Sequence, residues 1–127
     1  MTAKRFTLTI LCVLVVGAML LFPSCNHKTF MGSCIKNPDS YLLDAEQMTG
    51  TDQHTMNLQK GDFLSIQFET ISGSLSLKIT APDGSNAYTG NGTAATDFTI
   101  SISQSGTYTI AVTAVRAKGK IHIQGIE

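Results

Sequence analysis

Apolar and polar positions alternate strictly along most of the second half of the chain. Leu64, Ile66 and Phe68 alternate with Ser65, Gln67 and Glu69, and Leu75, Leu77, Ile79 and Ala81 with Ser76, Lys78 and Thr80. Phe98, Ile100 and Ile102 alternate with Thr99, Ser101 and Ser103, and Tyr108, Ile110 and Val112 with Thr107, Thr109 and Thr113. Ile121 and Ile123 stand between Lys120, His122 and Gln124. A period of two puts one set of side chains on each face of a strand, so each run buries one face and wets the other. No helical period fits these runs. The predicted core is Leu58, Leu64, Ile66, Phe68, Leu75, Leu77, Ile79, Phe98, Ile100, Ile102, Tyr108, Ile110, Val112, Ile121 and Ile123.

The breaks between runs carry turn residues: Lys60-Gly61-Asp62, Ser72-Gly73-Ser74, Pro82-Asp83-Gly84-Ser85, Gly90-Asn91-Gly92, Ser105-Gly106 and Lys118-Gly119. Glycine tolerates positive φ, proline presets φ, and Asp or Asn bonds its own backbone. Ser72-Gly73-Ser74 reads as a hairpin turn. With Met56–Leu58 and Ala87-Tyr88 as shorter strands, the pattern predicts an all-β domain. It would be an antiparallel two-sheet sandwich, jelly-roll-like, of about seven or eight strands.

The N-terminus is built differently. Lys4 and Arg5 precede an uncharged run from Phe6 to Phe22, after which Pro23-Ser24-Cys25 leads into polar Asn26-His27-Lys28. A basic start, an apolar stretch and a small residue before the break make a secretory signal, expected as a helix over residues 1–24. At about 17 residues the stretch is at the lower edge for spanning a bilayer. Ser24-Cys25 resembles the lipobox of bacterial lipoproteins, although Phe22 and Pro23 depart from its commonest residues. The resemblance implies cleavage between Ser24 and Cys25 and a lipid on the Cys25 thiol. An uncleaved transmembrane anchor and a freely secreted product are the alternatives. Residues 25–37 read as a tether, with a turn at Asn37-Pro38-Asp39-Ser40, and residues 38–127 as the sandwich domain.

Charge and cysteine content narrow the function. Taking Lys4 and Arg5 from the nine basic residues leaves seven against nine acidic ones, a net charge of −2. No basic face is visible for nucleic acid. Of three cysteines, Cys12 lies in the signal, Cys25 closes it and Cys34 stands alone, so no disulfide framework is expected.

Candidate chemistry is sparse. His27, His54 and His122 have no paired ligand at metal spacing and read as solvent-facing. Asp62 and Asp83 read as turn-makers rather than calcium ligands. No nucleophile elbow occurs, and nothing brings two of Asp44, Glu46, Glu69 and Asp97 together. Phe63, Tyr41 and Tyr88 are aromatics of the domain outside the predicted core. Tyr88 and Asn91, beside Gly90-Asn91-Gly92, are the candidate rim for a ligand. Asn91-Gly92-Thr93 matches a glycosylation pattern, which the lipoprotein reading, arguing for a bacterium, makes incidental.

Gly61-Asp62, Pro82-Asp83-Gly84, Phe98-x-Ile100 and Gly106-Thr107-Tyr108-Thr109-Ile110 resemble the small sandwich modules of bacterial secreted proteins, among them pre-peptidase C-terminal domains and GOLD-like jelly rolls. The resemblance covers residues 54–127 and implies a non-catalytic accessory or binding role. The expectation is a lipid-anchored envelope protein without enzymatic activity, cofactor or metal. Its partners would be the membrane, through Cys25, and a protein or glycan ligand. A carbohydrate-binding module and a structural envelope component are the other readings.

Overall fold

The structure, a computed structural model, describes residues 28–127, so the expected signal, Cys25 and His27 lie outside the described residues. Six strands follow one another: β1 (Thr29–Asn37), β2 (Ser40–Leu58), β3 (Phe63–Thr80), β4 (Asn86–Gly90), β5 (Thr96–Ser101) and β6 (Gly106–Ile126). All pairings are antiparallel. The order is β1-β2-β6-β3-β4, with β5 also on β3. No helix occurs among the described residues.

Three strands are unusually long: β2 has 19 residues, β3 has 18 and β6 has 21. Each is two strands joined at a bulge. In β3 the buried positions are Leu64, Ile66 and Phe68 before the bulge, and Leu75, Leu77 and Ile79 after it. The parity changes because the register slips between Thr70 and Ser72 and between Ser72 and Ser74. An inserted residue sends every later side chain to the opposite face. In β6, Tyr108, Ile110, Val112 and Ala114 give way to Ala117, Ile121 and Ile123. In β2, Tyr41, Leu43 and Ala45 give way to Met48, Met56 and Leu58, and its register slips on either side of Met48. The three breaks are neighbours, for Met48 pairs with Ala117 and Ser74 with Val115. Together they form a seam across the sheet.

The seam folds the sheet in half. Leu58 pairs with Gly106 at the start of β6. A Cβ placed on Gly125, near the end of the same strand, would nevertheless lie 3.3 Å from Leu58 Cδ2. A straight strand would separate residues 106 and 125 by roughly 60 Å. One layer therefore contains β4 and the halves of β3, β6 and β2 at residues 74–80, 106–115 and 50–58. The other contains β1, β5 and the remaining halves. Their inner faces share one apolar core, as in a two-sheet sandwich.

Most of the predicted core is buried, with Phe98 and Ile100 half-buried against it. Tyr41, Leu43, Ala45, Met48, Met56, Ala81, Ala114 and Ala117 complete it. Tyr41, expected outside the core, is fully buried, while Phe63 is exposed.

Three local expectations are corrected. Ser72-Gly73-Ser74 is a bulge inside β3 and not a hairpin turn, because β6 continues alongside both halves of the strand. Lys118-Gly119 likewise lies within β6. Residues 29–37, expected in the tether, form β1 and pair with β2 along their whole length. β1 is exposed throughout, so it has no apolar alternation to announce it. The turn at 37–40 is where it was expected, with Asn37 paired to Ser40.

Candidate functional site

Bending β2 brings its second half back beside its first. Between this returning strand and β1 lies a groove of ≈ 340 Å³, with Leu43 and Met48 among its apolar lining and Cys34, Lys36 and Asp52 among its polar lining. Gly50, with φ +131°, lies at the bend, and a Cβ there would stand 3.1 Å from Lys28 Cγ. Any other residue would be strained at this φ and would crowd the entry of β1.

Asp52 is the hub of the groove. Lys36 Nζ donates to its Oδ1 at 2.7 Å, and Tyr41 donates its hydroxyl to Oδ2 at 2.8 Å. Cys34 Sγ lies 3.6 Å from the same Oδ2. Lys36 Nζ also donates to the Gln53 carbonyl at 3.0 Å. The Tyr41 ring stacks on His54, 5.8 Å between centroids, and His54 Nε2 donates to the Asn37 carbonyl at 2.7 Å. Five side chains from β1 and both halves of β2 thus meet in one network.

The electrostatics hold each group in its resting form. Burial pushes the Asp52 carboxyl upward, but the Lys36 and Tyr41 hydrogen bonds and the Lys36 charge outweigh it, so it lies below the usual carboxylate range. Burial, then the neighbouring Asp52 charge, pushes the Cys34 thiol up. Burial, then the Asp52 hydrogen bond, pushes the Tyr41 phenol up as well. Thiol and phenol stay protonated beside an ionised carboxylate. A nucleophilic cysteine needs the opposite, a thiolate favoured by positive surroundings. The network fastens the bent strand, and the groove lies on its open side.

Sequence reasoning left Cys34 without a role, placed Tyr41 outside the core and had His54 facing solvent. Tyr41 and Asp52 are eleven residues apart on one strand, and no local pattern joins them. The seam alone brings them together.

The predicted rim lies elsewhere, in and just after β4. Tyr88 packs against the core, its ring 5.0 Å from that of Phe98 and tilted by 46°. Asn91 Oδ1 accepts the Thr93 backbone N–H at 3.2 Å and the Thr93 hydroxyl at 3.1 Å, and its carbonyl accepts Thr70 Oγ1 at 2.8 Å. Asp62 Oδ2 accepts the Gln59 N–H at 2.9 Å, and Asp83 Oδ1 accepts the Ser85 N–H at 2.9 Å. Both are turn-makers, as their sequence context suggests. His122 lies 3.0 Å from both Asp44 oxygens. Among the described residues no three His, Cys, Asp or Glu side chains gather as a metal site.

No curated protein matches the chain closely enough to count as a relative. The bacterial pre-peptidase C-terminal domain matches residues 50–114, about half of the chain. Those limits fall on paired residues, since Gly50 stands opposite Ala114 at the seam. The match runs from the second half of β2 to the end of the first half of β6. β1 and the halves of β2 and β6 beyond the seam lie outside it. The chain belongs to the bacterial pre-peptidase C-terminal domain family.

Proposed function

We propose that this protein is a lipid-anchored, non-enzymatic accessory or interaction module on the extracytoplasmic side of a bacterial envelope. The observation that carries the reading is an all-β domain, matched to the family over residues 50–114, that begins just after Ser24-Cys25 at the end of an apolar, charge-free run. Only Asn26 to Lys28 separate Cys25 from β1. The groove supports the non-enzymatic part of the reading: its thiol and phenol are held protonated, and Lys36 neutralises its carboxylate. Partners reach the protein at the membrane surface, with the lipid on Cys25 supplying the address.

The test is acylation. Wild type and Cys25→Ala are expressed with a clickable fatty acid, and the mass of the N-terminal peptide is recorded. Label on wild type alone, on a peptide beginning at acylated Cys25, is the expected result. An intact Met1 without label would replace the reading with a transmembrane anchor, and a cut but unlabelled chain with a freely secreted domain.

A further inference from the structure

The seam end of the sandwich has an unusual surface. Ile71 is 61% exposed, Met31 55%, Val115 53% and Phe30 46%. The pairing brings them to one end. Phe30 stands opposite Met48, Met48 opposite Ala117, and Val115 opposite Ser74 in the bulge that contains Ile71. Basic residues are interleaved with them: Lys28 against Gly50, Arg116 with its N–H on Thr49 Oγ1, and Lys118 opposite Ser72. Of the acidic residues near this end, Glu69 stands opposite Lys120, Asp44 is bonded to His122, and Glu46 is exposed. Apolar side chains mixed with cations suit the interface of an anionic bilayer, where the apolar groups enter the headgroup boundary and the cations meet phosphate.

Chain length selects the same end. β1 begins at the seam, with Thr29 paired to Thr49. Cys25 lies three residues before Lys28, a span of roughly 10 Å at full extension. A lipid on Cys25 would hold the seam against the headgroups. The loops at 59–62 and 102–105, joined by Gly61 N–H to the Ile102 carbonyl and Lys60 N–H to Ser105 Oγ, lie at the opposite end, with the loop at 82–85 beside Gly106, where a Cβ would stand 2.7 Å from Pro82 Cγ.

We infer that the seam is a membrane-docking face: Phe30, Met31, Ile71 and Val115 enter the headgroup boundary while Lys28, Arg116 and Lys118 bind lipid phosphates. The inference rests on the Cys25 anchor. It fixes the orientation of the domain, standing on its seam with the opposite loops presented outward.

The test uses the acylated full-length product in phosphatidylcholine vesicles containing phosphatidylglycerol and a nitroxide lipid. A bimane label is placed at Ile71→Cys, Val115→Cys or Ser85→Cys in a Cys34→Ser background, Cys25 being blocked by its own lipid. Labels at 71 and 115 should be quenched about threefold more than the label at 85, since a docked face reaches roughly 5–10 Å into the boundary. Acylated protein quenched equally at all three sites overturns the docking face and leaves the anchor standing. A product without acyl on Cys25 overturns the anchor and the orientation drawn from it.

Discussion

Tyr41 donates its hydroxyl to Asp52 at 2.8 Å, across a bend in the strand that carries both. The phenol is buried and the carboxylate carries charge, so the bond falls in the stronger class, worth roughly 1.5–3 kcal/mol. Tyr41→Phe should lower stability by an amount in that range at pH 7. Asp52 supplies the pH dependence. Its carboxyl is held below the ordinary range, chiefly by Lys36 and Tyr41 working against burial. A depressed folded value means stability that is present above the unfolded value, near 3.9, and lost as pH falls through the folded one. Asp52→Asn should therefore unfold at a lower temperature than wild type at pH 7, and the gap should close as pH falls below about 4. Thermal unfolding of both proteins from pH 7 to pH 2.5 checks this. A gap that is constant with pH would mean that the carboxylate charge does not contribute.

The bulges decide the architecture at the scale of the strand. Gly73 lies at φ +69°, and a Cβ there would meet the Arg116 backbone, with the Val115 carbonyl oxygen at 2.6 Å. Gly84, at φ +88°, would meet nothing within 4 Å. Both substitutions to alanine strain the backbone by about 1–2 kcal/mol, but only Gly73→Ala also forces β3 and β6 apart at the seam. In urea, Gly73→Ala should lose at least about 1 kcal/mol more than Gly84→Ala. Equal losses would mean that the seam can open to accept a methyl group. The same residue shows how far sequence reaches. Alternation on either side of Gly73 revealed both halves of β3 and their buried residues. The parity change was also written there, in Phe68 against Leu75. What was not written locally is that the chain continues straight on instead of reversing. That choice depends on β6, forty residues away, which pairs with both halves. Tyr41, Asp52 and Cys34 were illegible for the same reason: their meeting follows from the fold of β2, not from their spacing. β1, exposed along its length, lacked the apolar period by which the other long strands could be read.

At the scale of the molecule, the two layers are continuous through three strands and cannot form separately. The family match makes this testable, because residues 50–114 stop at the seam on both sides. Such a fragment keeps Leu64, Ile66 and Phe68 but loses Ile121 and Ile123, which stand opposite Phe68 and Ile66 in β6. It also loses Tyr41 and Leu43, fully buried in the same core. Each such side chain contributes roughly 1.5–3 kcal/mol when fully buried, so the four together contribute about 6–12 kcal/mol, a loss comparable with the whole margin of about 5–15 kcal/mol by which a domain is stable. Leu64, Ile66 and Phe68 would then lose their neighbours across the ladder, on a layer reduced to β5 and half of β3, and two strands alone are at best marginally stable. The fragment 50–114 should therefore lack a cooperative transition in urea. The chain from Asn26 onward should unfold in one, with far-UV and near-UV circular dichroism coinciding, as expected of a domain whose layers share their strands. A cooperative transition in the fragment would place the folding unit within residues 50–114. β1, the first half of β2 and the last half of β6 would then be an addition to a complete domain, and the groove beside Asp52 would lie between that domain and its appendage.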